Sequence, residues 1–198
     1  YYDKPEVIAA LQYWVDLVKD GSVSPSVVTW TQGDLKDQFV AGKAAMMING
    51  PWQFPSLDKI SSLHYGVIDI PVPHAGDPSI APLGGEVYTV PNTGNPDKQQ
   101  KAAEFVQCMT TDANELALAK NRRTVPSKIG LADQYSADNP EMAPFVKIAA
   151  NARARTGLLG AAWPKAATAI SGAIQSALTG QSSPQDALDA AQTAMGTN

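Results

Sequence analysis

The segment 35–52 constrains the fold most, because it joins a short helix, a buried strand and a sharp turn. Apolar residues four positions apart predict a helix over 35–39, and Gly42 tolerates the left-handed conformation that ends helices. The apolar run 44–48 predicts a strand buried on both faces. An Asn-Gly-Pro turn then leaves Trp52 at the carboxyl end of that strand, where open α/β sheets bind ligands. The sequence therefore predicts an α/β protein that displays an indole ring at a ligand-binding edge.

Helix start and stop signals recur along the rest of the chain. An Asp-x-x-Glu capping box at Asp3 predicts the first helix. Its apolar face includes either Trp14 or Val15, and Trp14 is expected to be a core residue. An Asn-Pro pair predicts a helix over 96–109. The last two predicted helices lie on either side of Gly180, and the second of them begins at Ser183. Helices therefore outnumber the predicted strands.

Three strands are predicted, over 44–48, 65–70 and 86–90, against about seven helices. Helices that cover both faces of a parallel sheet usually need more strands beneath them. The chain also begins directly before a helix, without an initiator methionine. We therefore expect it to be cut from a longer polypeptide that supplies the missing strands.

The motif F-x-x-G-K-A-A-M-M-I-N-G-P-W, which ends at Trp52, resembles the extracellular solute-binding proteins of ABC importers, in the family that includes maltose-binding protein. The segments 64–67 and 70–73 are similar to that family's strand into a hinge. The segment 83–86 resembles its glycine pair at the ligand cleft, and 178–188 resembles its C-terminal helix pair.

This resemblance implies a two-lobe, periplasmic-binding-protein-like α/β fold of type II. The chain would be only its C-terminal half, with helices dominating. By the same analogy, residues 1–70 and 127–198 form the C-terminal lobe. Residues 71–126 contain the hinge and a segment that belongs to the N-terminal lobe. The chain alone is therefore expected to bind ligand weakly, because half of the cleft would be absent.

Composition excludes several other classes of function. The net charge of -4 and the pI near 5.1 argue against a nucleic-acid partner, because no basic stripe is present to displace counterions. The single cysteine, Cys108, excludes an internal disulfide and is expected to be buried as a small hydrophobe. No apolar run approaches the roughly 20 residues that span a bilayer.

The sequence offers little chemistry for catalysis. Neither His64 nor His74 has a partner at a spacing that would make it a general base or a metal ligand. No nucleophile elbow or dinucleotide-binding loop is present, and the Gly42-Lys43 pair lacks the rest of a phosphate loop. We therefore predict a binding protein without enzymatic activity, cofactor or metal.

Two tryptophans are candidates for binding a sugar. A pyranose presents an apolar face that stacks on an aromatic ring and hydroxyls that need donors and acceptors. Trp52 is the first candidate, although it could instead wedge between helices of one lobe. Trp163 lies just before an alanine-rich helix, but the family carries its aromatic about one turn further along. Stacking and packing both remain open for Trp163.

Main-chain and charged groups complete the predicted site. Gly84 and Gly85 would let a ligand approach the backbone amides, or they simply make a turn. Glu86 could accept hydrogen bonds from hydroxyls, or be an exposed glutamate at a strand end. Arg123 could bind hydroxyls or a carboxylate, or form a surface ion pair.

The resemblance implies that two lobes close on a sugar or oligosaccharide, which is then delivered to an ABC permease in the membrane. It also implies an extracellular or periplasmic protein, monomeric at full length and anchored through an N-terminal segment. A receptor for another solute, such as a glycerol phosphate ester, is an alternative that Arg122 and Arg123 would favour. A small α/β hydrolase is a further alternative, which no residue spacing supports.

Overall fold

The computed structural model describes residues 2–196, which divide into two compact units. Unit 1 contains the residues up to Gln38 and those from Arg155 onward. Unit 2 is the intervening segment Phe39–Ala154. The predicted lobe boundaries, after residues 70 and 126, stay a prediction.

Helices dominate both units, as the sequence predicts. Those of the described residues are α1 (Pro5–Lys19), α2 (Gln32–Val40), α3 (Phe54–Leu57), α4 (Pro96–Met109), α5 (Asp112–Arg122), α6 (Ile129–Asp138), α7 (Ala143–Ala149), α8 (Trp163–Leu178) and α9 (Pro184–Met195). Two short strands, β1 (Pro82–Leu83) and β2 (Arg153–Ala154), pair in parallel. Within residues 2–196 no helix is both long and apolar enough to cross a membrane.

The core of unit 1 is built by α1, α8 and α9. Its buried residues are Leu11, Val15, Ala173, Ala177, Ala187, Leu188 and Ala191. Alanines on α8 and α9 allow their backbones to approach closely, and Leu188 fills the space between them with 0% of its surface exposed. These buried residues mark the inward faces of α8 and α9.

The prediction that Trp14 is a core residue is wrong. Leu11 and Val15 are buried in α1, whereas Trp14 is 50% exposed. Residues four apart lie on one helix face, so the pairing of Leu11 with Val15 turns Trp14 by roughly 100° toward solvent. The periodicity allowed either residue inward, and the smaller one fits between the helices.

The helix caps follow the sequence at two of the three predicted sites. The Asn95 side chain accepts a hydrogen bond from the Lys98 amide at 3.0 Å, at the start of α4. The Ser183 hydroxyl accepts one from the Asp186 amide at 3.1 Å, at the start of α9. The N-cap of α1 is Lys4 rather than Asp3, because Pro5 is already the first residue of the helix.

The core of unit 2 surrounds four buried residues, Phe54, Ala119, Tyr135 and Met142. The Phe54 ring meets the Phe145 ring edge-on at 5.6 Å and lies 5.9 Å from the Tyr65 ring. The Tyr135 hydroxyl donates to the Ala119 carbonyl at 3.0 Å, which satisfies its polar tip inside the core. This cluster joins the segment after Trp52 to α5, α6 and α7.

The three predicted strands are wrong as paired strands within the described residues. The segments 44–48, 65–70 and 86–90 have no regular secondary structure. Their apolar side chains are often exposed, with Met46 at 79% and Val87 at 82%. A strand forms only when its amides and carbonyls meet a neighbouring strand. The sequence carries the strand propensity, whereas the partner strands are not among residues 2–196.

Cys108 also departs from its prediction. It lies in α4 and is exposed, not buried. The core cluster of unit 2 around Phe54 and Ala119 includes no residue of α4. The prediction that Cys108 is a buried small hydrophobe is therefore wrong.

Candidate functional site

Trp52 lies at the surface of unit 2, and buried residues precede and follow it in the sequence. It lies in a 3-10 turn formed by Pro51–Gln53, which leads directly into α3. Pro51 and Phe54 are buried, whereas Trp52 is 49% exposed. Because the adjacent residues anchor the turn in unit 2, the indole is held at the surface with about half of its area open.

Gly50 determines how close the indole lies to the main chain. A Cβ atom built on Gly50 would overlap the six-membered ring of Trp52. Any other residue at position 50 would therefore displace the ring or the turn. The Asn49 side chain also accepts a hydrogen bond from the Gly50 amide at 2.9 Å, which fixes the turn from the other side.

The diglycine Gly84-Gly85 follows β1 and is exposed. Upstream, Pro82 pairs with Arg153, and the Arg153 amide donates to the Ala81 carbonyl at 3.0 Å. A Cβ built on Gly85 would meet no atom within 4 Å. The space above Gly85 is therefore open to a ligand rather than occupied by the chain.

Glu86 forms a two-point ion pair with Arg122. The guanidinium donates through Nη1 to Oε2 at 2.6 Å and through Nη2 to Oε1 at 3.0 Å. Both side chains are exposed. Two parallel hydrogen bonds fix the carboxylate in direction as well as in distance. Glu86 therefore carries a protein partner, while its remaining lone pairs face solvent.

Arg123 adopts a left-handed backbone conformation, with φ of 53°, at the end of α5. Its guanidinium pairs with Glu141, so a surface ion pair is formed here. Burial raises the pKa of the neighbouring Tyr135, and the positive charge of Arg123 offsets part of that rise. Burial and a 2.6 Å hydrogen bond to Asp58 likewise raise the pKa of Tyr65 well above its usual range.

Trp163 is the first residue of α8 and is half-buried. The sequence prediction put Trp163 just before that helix, whereas in the structure it is the first helical residue. It belongs to unit 1, whereas Trp52, the diglycine and Arg123 belong to unit 2. Unit 2 thus holds five of the six predicted site residues, and its α5 end joins Glu86 to the neighbourhood of Arg123.

Two contributors are not among the six predicted site residues. Gly50 lies against the Trp52 ring, and its position in the Asn-Gly-Pro turn is the sequence feature that could have identified it. Arg122 binds Glu86 across 36 positions of sequence, and no local pattern encodes such a contact. Among residues 2–196 no group of three or more His, Cys, Asp or Glu side chains could hold a metal. The displayed groups are an aromatic face, exposed amides and oriented carboxylates, which suit reversible binding of a polar solute.

Comparisons with known proteins agree with this chemistry. The bacterial extracellular solute-binding protein family matches residues 2–144. Predicted binding proteins of Brucella abortus (strain 2308) and Brucella suis biovar 1 (strain 1330) are each 26% identical over 186 residues, which is 93% of this chain and 44% of theirs.

Two solved structures have similar folds. The maltose-bound MalE3 protein of T. maritima has a TM-score of 0.83 and 25% identity, over 99% of this chain and 51% of that one. The cyclic alpha-maltosyl-1,6-maltose binding protein of Arthrobacter globiformis has a TM-score of 0.73 and 26% identity, over 98% and 48%.

These likenesses confirm the predicted periplasmic-binding-protein-like fold. The chain spans about half the length of the relatives it matches. The matched family consists of extracellular binding proteins rather than enzymes. The chain belongs to the bacterial extracellular solute-binding protein family.

Proposed function

We propose that this chain is part of the substrate-binding component of an ABC importer, which captures a sugar or oligosaccharide between two lobes. The captured sugar is delivered to a permease in the membrane. In this proposal the full-length protein acts as a monomer outside the cytoplasmic membrane, tethered by an N-terminal anchor. Residues 1–70 and 127–198 belong to one lobe, and 71–126 contain the hinge and part of the other.

The observation that carries the proposal is the half-open indole of Trp52 in a fold similar to a maltose-bound protein. An aromatic ring held on a turn with one face free is a ready platform for the apolar face of a pyranose. Its neighbours Pro51 and Phe54 are buried, so the ring is already ordered before ligand arrives. Preorganisation of this kind lowers the entropic cost of binding.

Binding combines stacking with hydrogen bonds and involves no covalent step. The proposed ligand contacts are Trp52, Gly84, Gly85, Glu86, Arg123 and Trp163. The exposed diglycine amides donate to sugar oxygens, and the free lone pairs of Glu86 accept from hydroxyls. Arg123 and Trp163 are proposed as further contacts, and the two lobes close about the hinge.

The alternative of an anionic solute, such as a glycerol phosphate ester, gains no support from the two arginines. Arg122 pairs with Glu86 and Arg123 pairs with Glu141, so each positive charge has a carboxylate beside it. A phosphate would have to displace one of these carboxylates. A neutral polyol would leave both pairs in place.

Isothermal titration with maltose, maltotriose and glycerol 3-phosphate tests the proposal. The full-length protein should bind a maltooligosaccharide at micromolar concentration or below and should not bind the phosphate ester. The 198-residue chain alone should bind the same sugar weakly or not at all. Preferential binding of glycerol 3-phosphate by the full-length protein would contradict the proposal.

A further inference from the structure

We infer that Arg122 is a positioning residue, which holds the exposed diglycine corner in one conformation through its ion pair with Glu86. The diglycine corner is defined as residues 84–86. Its place in sugar recognition rests on the proposed function. The ordering of the corner does not, since it follows from contacts within unit 2 alone.

The corner has no side-chain packing of its own to hold it. Gly84 and Gly85 carry no Cβ, and both are exposed. The Gly85 Cα faces open space. Glycine loses more conformational freedom on ordering than any other residue, so two in succession would move freely unless their flanks are fixed.

The upstream flank is fixed by the pairing of β1 with β2. Pro82 and Leu83 pair with Arg153 and Ala154 in parallel register. The Arg153 amide donates to the Ala81 carbonyl at 3.0 Å within this pairing. The backbone is therefore fixed as far as Leu83, the residue directly before the corner.

The downstream flank is fixed by two contacts with helices. Arg122 closes the fork of two hydrogen bonds on Glu86, at 2.6 and 3.0 Å. Two residues further on, the Tyr88 ring meets Phe105 of α4 edge-on, with ring centres 6.4 Å apart. The Arg122 fork is the nearer of the two, directly adjacent to Gly85. It therefore controls the corner more directly than Tyr88.

Arg123 connects the same end of α5 to the core of unit 2. It ends the helix in the left-handed conformation, with φ of 53°, and its guanidinium pairs with Glu141, whereas that of Arg122 pairs with Glu86. The end of α5 thus connects the diglycine corner to Glu141 in the Pro140–Met142 turn, whose Met142 is fully buried. The buried core of unit 2 therefore orders the diglycine corner, although the corner itself does not contact that core.

Backbone ¹⁵N relaxation of the Gly84 and Gly85 amides tests this inference in the full chain. Rigid backbone gives order parameters of about 0.85, and flexible backbone gives values below about 0.6. We expect both glycines to be near the rigid value in the wild type and to fall below about 0.6 in R122A. R122K, which keeps the charge but loses the two-point geometry, should give intermediate values.

K128A is the matched control, because Lys128 forms an exposed ion pair of 2.5 Å with Asp112 at the opposite end of α5. It should leave the two glycines unchanged. The exchanged pair R122E with E86R should restore their order. Mobile glycines in the wild type, unchanged glycines in R122A, or no restoration by the exchanged pair would each overturn the inference.

Sugar titration of R122A in the full-length protein separates this inference from the proposed function. We expect a loss of affinity of about two- to five-fold, the scale of an exposed ion pair, at an unchanged melting temperature. If no variant and no wild-type protein binds sugar, the proposed function fails while the order parameters still decide the role of Arg122. If order falls in R122A but affinity is unchanged, the corner lies outside the binding site.

Discussion

The indole of Trp52 lies directly over Gly50, so closely that a Cβ at position 50 would overlap its six-membered ring. The ring and the turn that carries it are therefore fitted to each other. One face of the indole is occupied by the main chain, and about half of the side chain stays open, with 49% of its surface exposed. This relationship makes Gly50 the simplest place to disturb the candidate stacking platform without changing Trp52.

G50A should move the Trp52 ring and lower the free energy of unfolding. Overpacking of this kind typically costs about 1–3 kcal/mol. Tryptophan emission and urea unfolding would measure the two effects. G66A is the matched control, since a Cβ at Gly66 meets no atom within 4 Å. Equal stability and emission for G50A and the wild type would show that the ring does not depend on Gly50.

L188A should destabilise the protein strongly through unit 1. Leu188 is 0% exposed, at the centre of the core that α1, α8 and α9 share. Truncation of a fully buried leucine costs about 2–5 kcal/mol, because the lost transfer free energy is joined by a cavity. The same truncation at Leu158, which is 95% exposed, should change stability by no more than about 0.5 kcal/mol. Comparable losses from chemical denaturation of the two variants would contradict the assigned core.

The stability of the protein should fall in alkaline solution partly through Tyr65. Two effects raise the pKa of Tyr65 in the folded state above the unfolded value of 10.0. Burial is the larger effect, and the hydrogen bond to Asp58 is the second. A group with a raised pKa stabilises the fold fully below the unfolded pKa, and that contribution is lost as pH rises through the folded pKa. The free energy of unfolding should therefore decline above about pH 10.

Y65F should make that alkaline decline shallower, because the phenol that must ionise on unfolding is gone. Urea unfolding at a series of pH values from 8 to about 12 would measure it. Y13F is the control, since Tyr13 is exposed and outside both cores. A decline in Y65F as steep as in Y13F would refute the assigned role of Tyr65.

Local signals predicted most of the helices. The caps at Asn95 and Ser183 form as expected, because a side chain only has to reach an amide three residues along. The alanine-rich helix predicted after Trp163 also forms, as α8, because its composition favours a helix directly. The same periodicity left Trp14 and Val15 as alternatives, and packing against α8 and α9 selected Val15.

The sequence did not predict contacts between residues that lie far apart in the chain. The segment around Met46 has a strand's composition, yet strands form only in pairs, and no partner is present among the described residues. The two-point pairing of Glu86 with Arg122 joins residues 36 positions apart. The position of Trp52 on a turn was predicted, whereas the glycine beneath its ring became evident only from the structure.

The central claim is that Trp52 forms one wall of a sugar-binding cleft, and truncation of this residue tests it most directly. W52A and W14A should be compared by maltooligosaccharide titration of the full-length protein, because the two side chains are equally exposed, at 49% and 50%. W52A is predicted to weaken binding by about 1–3 kcal/mol, the scale of burying one large apolar side chain, while W14A leaves affinity unchanged. Wild-type affinity in W52A would contradict the claim.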